Sequence, residues 1–148
     1  MLSYRHSFHA GNPADVIKHL VLIETLTYLT QKDKPLEYID THSGVGIYRL
    51  ANADAQKTQE YLDGIARVSQ STGDNQAIAN YVERVKQFNK GELEFYPGSP
   101  LVADSLLRDS DKRWLFELRP QDSESLKNNM AIRKLSQVIL RHMMRRRR

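Results

Sequence analysis

Asp40 and the glycines at 44 and 46 are the residue types from which a nucleotide-cofactor loop is built, and they follow a short run, Leu36-Glu37-Tyr38-Ile39. A buried strand ending on Asp40 would deliver the chain to the carboxyl edge of a parallel sheet. Glycines in the following turn would then let the backbone pass a ligand where a side chain would collide with it. Plain strand-to-helix connections show the same pattern, so the loop alone leaves both readings open. The dinucleotide fingerprint wants a third glycine three residues after Gly46, and position 49 is Arg. The spacing Asp-x-x-x-Gly-x-Gly therefore suits S-adenosyl-L-methionine better than NAD.

Glu117 closes a second strand-like run, Trp114-Leu115-Phe116. An ionised carboxylate at such a strand end commonly accepts hydrogen bonds from the two hydroxyls of a ribose. On residue type and position alone, Glu117 ranks first as a cofactor contact and His42 second. His19 reads as a helix histidine with no assigned duty. His6-x-x-His9 is a poor metal pair, because no further ligand cluster supports it.

These groups need elements to position them. Asn12 is a good N-cap, Pro13 suits the first helical position and Asp15 places a carboxylate near the positive end of the dipole, predicting a helix from 13 to about 31. Val16, Leu20, Ile23 and Leu26 give that helix an apolar face, with Lys18 and His19 one turn in. Residues 56–70 and 75–89 show apolar residues near helical spacing, joined across Ser71-Thr72-Gly73-Asp74, with Asp74 a candidate cap. The pair stands where a simple Rossmann-like unit would already have reached its next strand, so it reads as an insertion. Its basic residues, Lys57, Arg67, Arg84, Lys86 and Lys90, are candidate RNA contacts, although Glu60, Asp63 and Glu83 interspersed among them favour an ordinary solvated face for any one of them. A third helix is expected from 99 to 108, capped by Ser99, with Pro100 at its first position. Two strands, 36–40 and 113–117, complete the expectation.

The chain of 148 residues is long enough for one domain with a sizeable core. It has no cysteine, hence no disulfide framework or thiolate metal site, in keeping with a reducing cytoplasm. Its longest apolar stretch, around 20–29, is broken by Glu24, Thr25, Thr27 and Tyr28, which argues against a membrane span. Residues 1–126 carry 14 Lys plus Arg against 18 Asp plus Glu, a balance of −4, whereas 127–148 carry 8 basic side chains and no acidic one, a balance of +8. Basic runs bind nucleic acid through phosphate neutralisation, so Arg145–Arg148 is a candidate RNA-gripping tail.

Four segments together resemble one known family. They are the arm Tyr4-Arg5-His6-Ser7-Phe8-His9-Ala10-Gly11-Asn12, the pair Lys18-His19, the segment Tyr38–Gly46, and Tyr96-Pro97-Gly98-Ser99-Pro100. In this order they resemble the bacterial 23S ribosomal RNA adenine-N6 methyltransferases of the RlmJ type, over roughly residues 1–126. The resemblance implies an α/β, Rossmann-like class I methyltransferase fold with a small helical insertion, S-adenosyl-L-methionine as cofactor and 23S ribosomal RNA as substrate. It implies cofactor contacts at His19, His42, Ser99 and Glu117, extended to Lys18, Asp40, Gly44 and Gly46, and RNA contacts at Tyr4 and His6. Composition and the lack of a ligand cluster add the expectation of a cytoplasmic protein without metal, taken as a monomer.

Such enzymes hold the target amino group with an Asp-Pro-Pro-Tyr motif. Here the five prolines stand at 13, 35, 97, 100 and 120, and none is followed by another. The expected organisation is therefore an incomplete fold: 1–50 as arm, helix, first strand and cofactor loop; 51–95 as insertion; 96–126 as continuation of the core; and 127–148 as a basic tail, able to form a basic amphipathic helix and unlike the family in sequence. On this reading the chain is the N-terminal half of a methyltransferase, ended early. A noncatalytic RNA-binding module that uses the arm and the arginine tail is the alternative.

Overall fold

In a computed structural model, residues 5–71 and 74–131 are described in full, and 138–141 through their backbone. The first long helix, α1 (Pro13–Thr30), starts as its sequence predicts: Asn12 Oδ1 accepts the Asp15 N–H at 2.9 Å, and Pro13 occupies the first turn. Val16, Ile23 and Leu26 are buried, and Leu20 packs partly buried against the same core. Strand β1 (Glu37–Asp40) follows, then β2 (Ile47–Arg49), helices α2 (Ala53–Thr58), α3 (Ile65–Ser69) and α4 (Gln76–Lys86), and strand β3 (Phe95–Pro97). Helix α5 (Ser99–Asp104), strand β4 (Lys112–Phe116), helix α6 (Pro120–Ala131) and strand β5 (Val138–Arg141) complete the order.

The main sheet is parallel, in the order β1-β4-β5, with Glu37 opposite Lys112 and Asp40 opposite Leu115. Parallel pairing in this register brings the carboxyl ends of β1 and β4 side by side, where a doubly wound sheet binds its ligands. The expected α/β, Rossmann-like core is present on this evidence. Among the described residues β1 pairs on one edge alone, and Ile39 on it is 59% exposed.

Four expectations need correction. The helix predicted over 56–70 is broken into α2, a 3-10 turn (Glu60–Leu62) and α3. Gln59 turns left-handed at φ +54°, and at Gly64 the arm crosses so closely that a Cβ would lie 2.0 Å from the Gly11 carbonyl oxygen. That carbonyl accepts the Ile65 N–H at 2.9 Å, a contact 54 positions away that helical periodicity cannot show. Secondly, β2 and β3 form a short antiparallel pair on either side of the helical segment; three-residue strands are too short to reveal alternation. Thirdly, the cap of α4 is Asn75, whose Oδ1 accepts from Ala77 and Ile78, and not Asp74. Fourthly, 138–141 is a strand parallel to β4, not part of a basic helix. Its run Val-Ile-Leu has the β-branched, apolar character of a parallel strand; the remainder of the tail lies outside the described residues.

The end of the sheet opposite the 41–46 turn is held by charge. Asp111 is fully buried and accepts from the Leu36 N–H at 2.8 Å, the Arg108 N–H at 2.8 Å and the Arg108 guanidinium at 2.9 Å and 3.1 Å. Arg108 reaches on to the carbonyls of Thr30, Lys32 and Lys34, tying the end of α1 to the start of β1. Burial works to raise the Asp111 pKa, but the Arg108 side chain and the backbone N–H groups outweigh it and hold it at about 2. Replacing Asp111 by Ala leaves these donors unmatched, and urea unfolding should show a loss of about 2–4 kcal/mol. A loss under about 0.5 kcal/mol would show that the network contributes little to stability.

Candidate functional site

A cleft of about 570 Å³ lies at the carboxyl end of β1. It is walled by Asp15, Lys18, His19 and Leu22 of α1, by 38–43, by Tyr48 of β2, and by Gly98 and Ser99 at the start of α5, with His6 of the arm. Of the residues expected from the sequence, Lys18, His19, Asp40, His42, Ser99 and His6 meet there. Tyr4 lies outside the described residues.

Asp40 organises the floor. Its Oδ2 accepts the Ser99 hydroxyl at 2.5 Å and the Tyr38 hydroxyl at 3.0 Å, and its Oδ1 accepts the His42 N–H at 3.0 Å. Ser99 is therefore not the cap expected of it: the N-cap of α5 is Gly98, and the hydroxyl turns 59 positions back to β1. Burial, and after it the Asp40 charge, pushes the Tyr38 phenol well above its ordinary range, so it stays a neutral donor.

Gly44, Gly46 and Glu117 shape the turn and are not among the cleft-lining residues. Gly44 has φ +60°, and a Cβ there would stand 2.1 Å from the Tyr48 hydroxyl. Gly46, at φ +83°, offers its carbonyl to the Gly98 N–H at 2.7 Å, joining the turn to the start of α5. Glu117 accepts the Gly44 N–H at 2.9 Å through Oε2 and the Arg119 N–H at 2.9 Å through Oε1. An ionised carboxylate has lone pairs to spare beyond these two bonds.

Across the cleft, α1 presents a compact electrostatic group. Asp15 is buried and accepts from the Gly11 N–H at 3.1 Å and the His6 ring at 2.9 Å, with Lys18 Nζ 3.9 Å away. Desolvation works to raise the Asp15 pKa, but His6 and the Gly11 N–H keep it below its ordinary value. His9, the other half of the weak metal pair, turns away to Glu60 at 2.9 Å. His19 is 5% exposed; burial drives its pKa down to about 4, so the imidazole is neutral at pH 7. Its Nδ1 lies 2.8 Å from the Tyr96 hydroxyl, and the two rings stack with centroids 5.4 Å apart. Tyr48 and Tyr81 are invisible as site residues in the sequence, where each looks like ordinary core, and Tyr96 stands there in a family-like segment without a site role of its own; only the fold brings Tyr96, with Tyr81 behind it, to His19.

The family model for RsmJ, described as "Ribosomal RNA large subunit methyltransferase D, RlmJ", matches residues 33–143. The chain belongs to this family. The match runs through β5, so the tail as far as 143 lies inside the family's span. The chain is 51% identical over 133 residues to "Ribosomal RNA large subunit methyltransferase J" of Haemophilus influenzae, covering 88% of this chain and 47% of that protein. It is 50% identical over 129 residues to the Escherichia coli K12 protein of the same name, covering 86% and 46%. A crystal structure of protein LPL1258 from Legionella pneumophila, of family DUF519, superposes with a TM-score of 0.80 at 42% identity, over 91% of this chain and 49% of that one. The chain thus spans about half the length of the curated RlmJ-family relatives it matches.

The neutral His19 has a measurable consequence. Its folded pKa is depressed, so between about 6.5 and about 4 the unfolded chain binds the proton that the folded chain refuses. Stability from this residue is complete above pH 6.5 and falls as the pH drops towards 4, by up to about 3 kcal/mol. Urea unfolding across this range should show the slope, and His19→Gln should flatten it. An equal slope in the variant would assign the loss to other groups.

Proposed function

We propose that this chain forms the S-adenosyl-L-methionine-binding part of an enzyme that methylates N6 of an adenine in 23S ribosomal RNA. The observation that carries the reading is the convergence of Lys18, His19, Asp40, His42 and Ser99 on one cleft at the sheet's carboxyl edge, in a chain of the RlmJ family. The cleft's size lies in the range of small-molecule sites, and its mixed lining suits a ligand that is part apolar ring and part charged chain.

Bound in this cleft, S-adenosyl-L-methionine supplies a sulfonium methyl group. The chain's own contribution is to bind and orient. Ser99 and Tyr38 hold the Asp40 carboxylate in place, and the Gly44 turn, packed against Tyr48 and bonded to Glu117, fixes the cleft wall formed by residues 41–43. Lys18 and His42 offer polar groups at the cleft wall, and Glu117 has lone pairs free for ribose hydroxyls beside the turn. His6, together with Tyr4, is the proposed contact to RNA. The amino group of adenine is a weak nucleophile inside a stacked base, so the reaction also needs groups that hold the extruded base. The Asp-Pro-Pro-Tyr motif expected for that task is absent from these 148 residues. The edge of β1 that is unpaired among the described residues, and exposed Ile17, Val21 and Tyr28 on α1, are surfaces against which further sheet and helix would pack.

Isothermal calorimetry on the purified chain should detect S-adenosylhomocysteine binding with clear preference over NAD, weakened at least about tenfold by Asp40→Ala, which strips three bonds from the floor. The same chain should transfer no methyl group to 23S RNA. Equal binding of NAD, or methylation by the chain alone, contradicts the proposal. Absence of cofactor binding combined with RNA binding of steep salt dependence, lost on removing Arg145–Arg148, would favour the noncatalytic RNA module instead.

A further inference from the structure

Behind the cleft, three polar side chains form a closed line. Tyr81 of α4 and Tyr96 of β3 are both fully buried, with their hydroxyls 3.2 Å apart, and the Tyr96 hydroxyl continues to His19 Nδ1 at 2.8 Å. The line ends at Tyr81, whose hydroxyl bonds to Tyr96 and to no other described group. At the opposite end His19 lines the cleft, and its Nε2 has no partner among the described residues.

Proton counting distinguishes the two ways of wiring this line. If Nδ1 carried the proton and donated to Tyr96, only one of the two phenols could donate to the other, and the remaining O–H, of Tyr81 or of Tyr96, would be left buried without an acceptor. If Tyr81 donates to Tyr96 and Tyr96 donates to Nδ1, both buried hydroxyl donors are used and the imidazole proton sits on Nε2, on a ring that lines the cleft, where solvent or a ligand can accept it. A buried unmatched donor bears its full desolvation penalty, whereas an oxygen with a spare lone pair bears little, so the second wiring is preferred.

We propose that Tyr96, backed by Tyr81, is a positioning residue that locks His19 as the Nε2–H tautomer, so that the cleft meets its ligand with an N–H donor at this point. The group it takes is therefore a hydrogen-bond acceptor, an oxygen or an unprotonated ring nitrogen, and a ligand offering only a donor there is rejected. The depressed basicity of His19 keeps the lock from being bypassed by a doubly protonated ring at neutral pH. The charged and titratable groups facing it are Asp15 and Lys18 on its own helix, His6 on the arm and Asp40 on β1. The device also ties the helical segment between β2 and β3 to the cleft, since Tyr81 is carried by α4.

The inference rests on the cofactor reading for the identity of its ligand, but the tautomer can be read without any ligand. In the 148-residue chain labelled with ¹⁵N at histidine, His19 should show a pyrrole-type Nε2 and a pyridine-type Nδ1 at pH 7. Tyr96→Phe, which keeps the ring and its packing, should give a mixture of the two tautomers and about a tenfold loss of S-adenosylhomocysteine affinity. Tyr81→Phe should keep the Nε2–H form, because Tyr96 still has an acceptor in Nδ1. A wild-type Nδ1–H tautomer, or an unchanged tautomer in Tyr96→Phe, overturns the proposal, and the wild-type spectrum alone decides it should a variant fail to fold. If the wild type shows the Nε2–H form yet binds no S-adenosylhomocysteine, the lock stands and the cofactor reading fails.

Discussion

The site depends on the closure of the 41–46 turn by the end of the neighbouring strand. Ser43 exchanges bonds with Phe116 in both directions, its N–H donating to the Phe116 carbonyl at 3.0 Å and its hydroxyl accepting the Phe116 N–H at 3.2 Å. Glu117 then takes the Gly44 N–H. Three bonds thus extend the β1–β4 ladder past the last paired residues and convert a loop, the least determined kind of backbone, into part of the sheet edge. With the turn held there, Gly46 can receive the Gly98 N–H, α5 starts at the right place, and Ser99 reaches Asp40. Loss of the ladder would release all of these contacts together.

Helix α1 serves two environments at once. One side lays Val16, Ile23 and Leu26 into the interior, while Asp15, Lys18 and His19 look towards the cleft. Burying a carboxylate and an imidazole so close together works because they are treated differently. Asp15 remains charged, compensated by His6, Lys18 and a backbone N–H, whereas His19 gives up its charge to burial and takes a neutral hydroxyl as partner. Two buried groups of unlike protonation place an acceptor-rich and a donor-bearing surface next to each other, which is a basis for orienting a ligand with both kinds of polar end.

The helical segment between β2 and β3 is integrated into this arrangement and is not a mere appendage. Its α4 contributes Tyr81, Val82 and Val85 to the same core that holds Val16 and Ile23, and Arg84 reaches Ser105 beyond α5. Basic residues that look like an RNA-facing set in one dimension are partly committed to such contacts; Lys57, for example, lies 5.9 Å from the centre of the Phe8 ring. Charge on a surface helix is a weak guide to a partner when packing accounts for its direction.

Much of the fold and part of the site were legible in the linear order of residues. Asn12-Pro13 and the spacing of Val16, Ile23 and Leu26 determined α1, because caps and helical periodicity are local. The two parallel strands followed from short apolar runs ending in Asp40 and Glu117, and the family from motifs that sequence preserves directly. The break at Gln59 and Gly64, the antiparallel pairing of β2 with β3, and the strand at 138–141 depend on what crosses or pairs with each segment, which no local period records. The same distinction holds within the site. Sequence by itself determined which groups are available: two glycines after an aspartate, a histidine one turn into a helix, a serine before a proline. Tertiary structure alone decided what each does, since the roles of Ser99, Glu117 and His19 are set by Asp40, Gly44 and Tyr96, at 59, 73 and 77 positions' distance, and a side chain's protonation and direction follow from its neighbours in space.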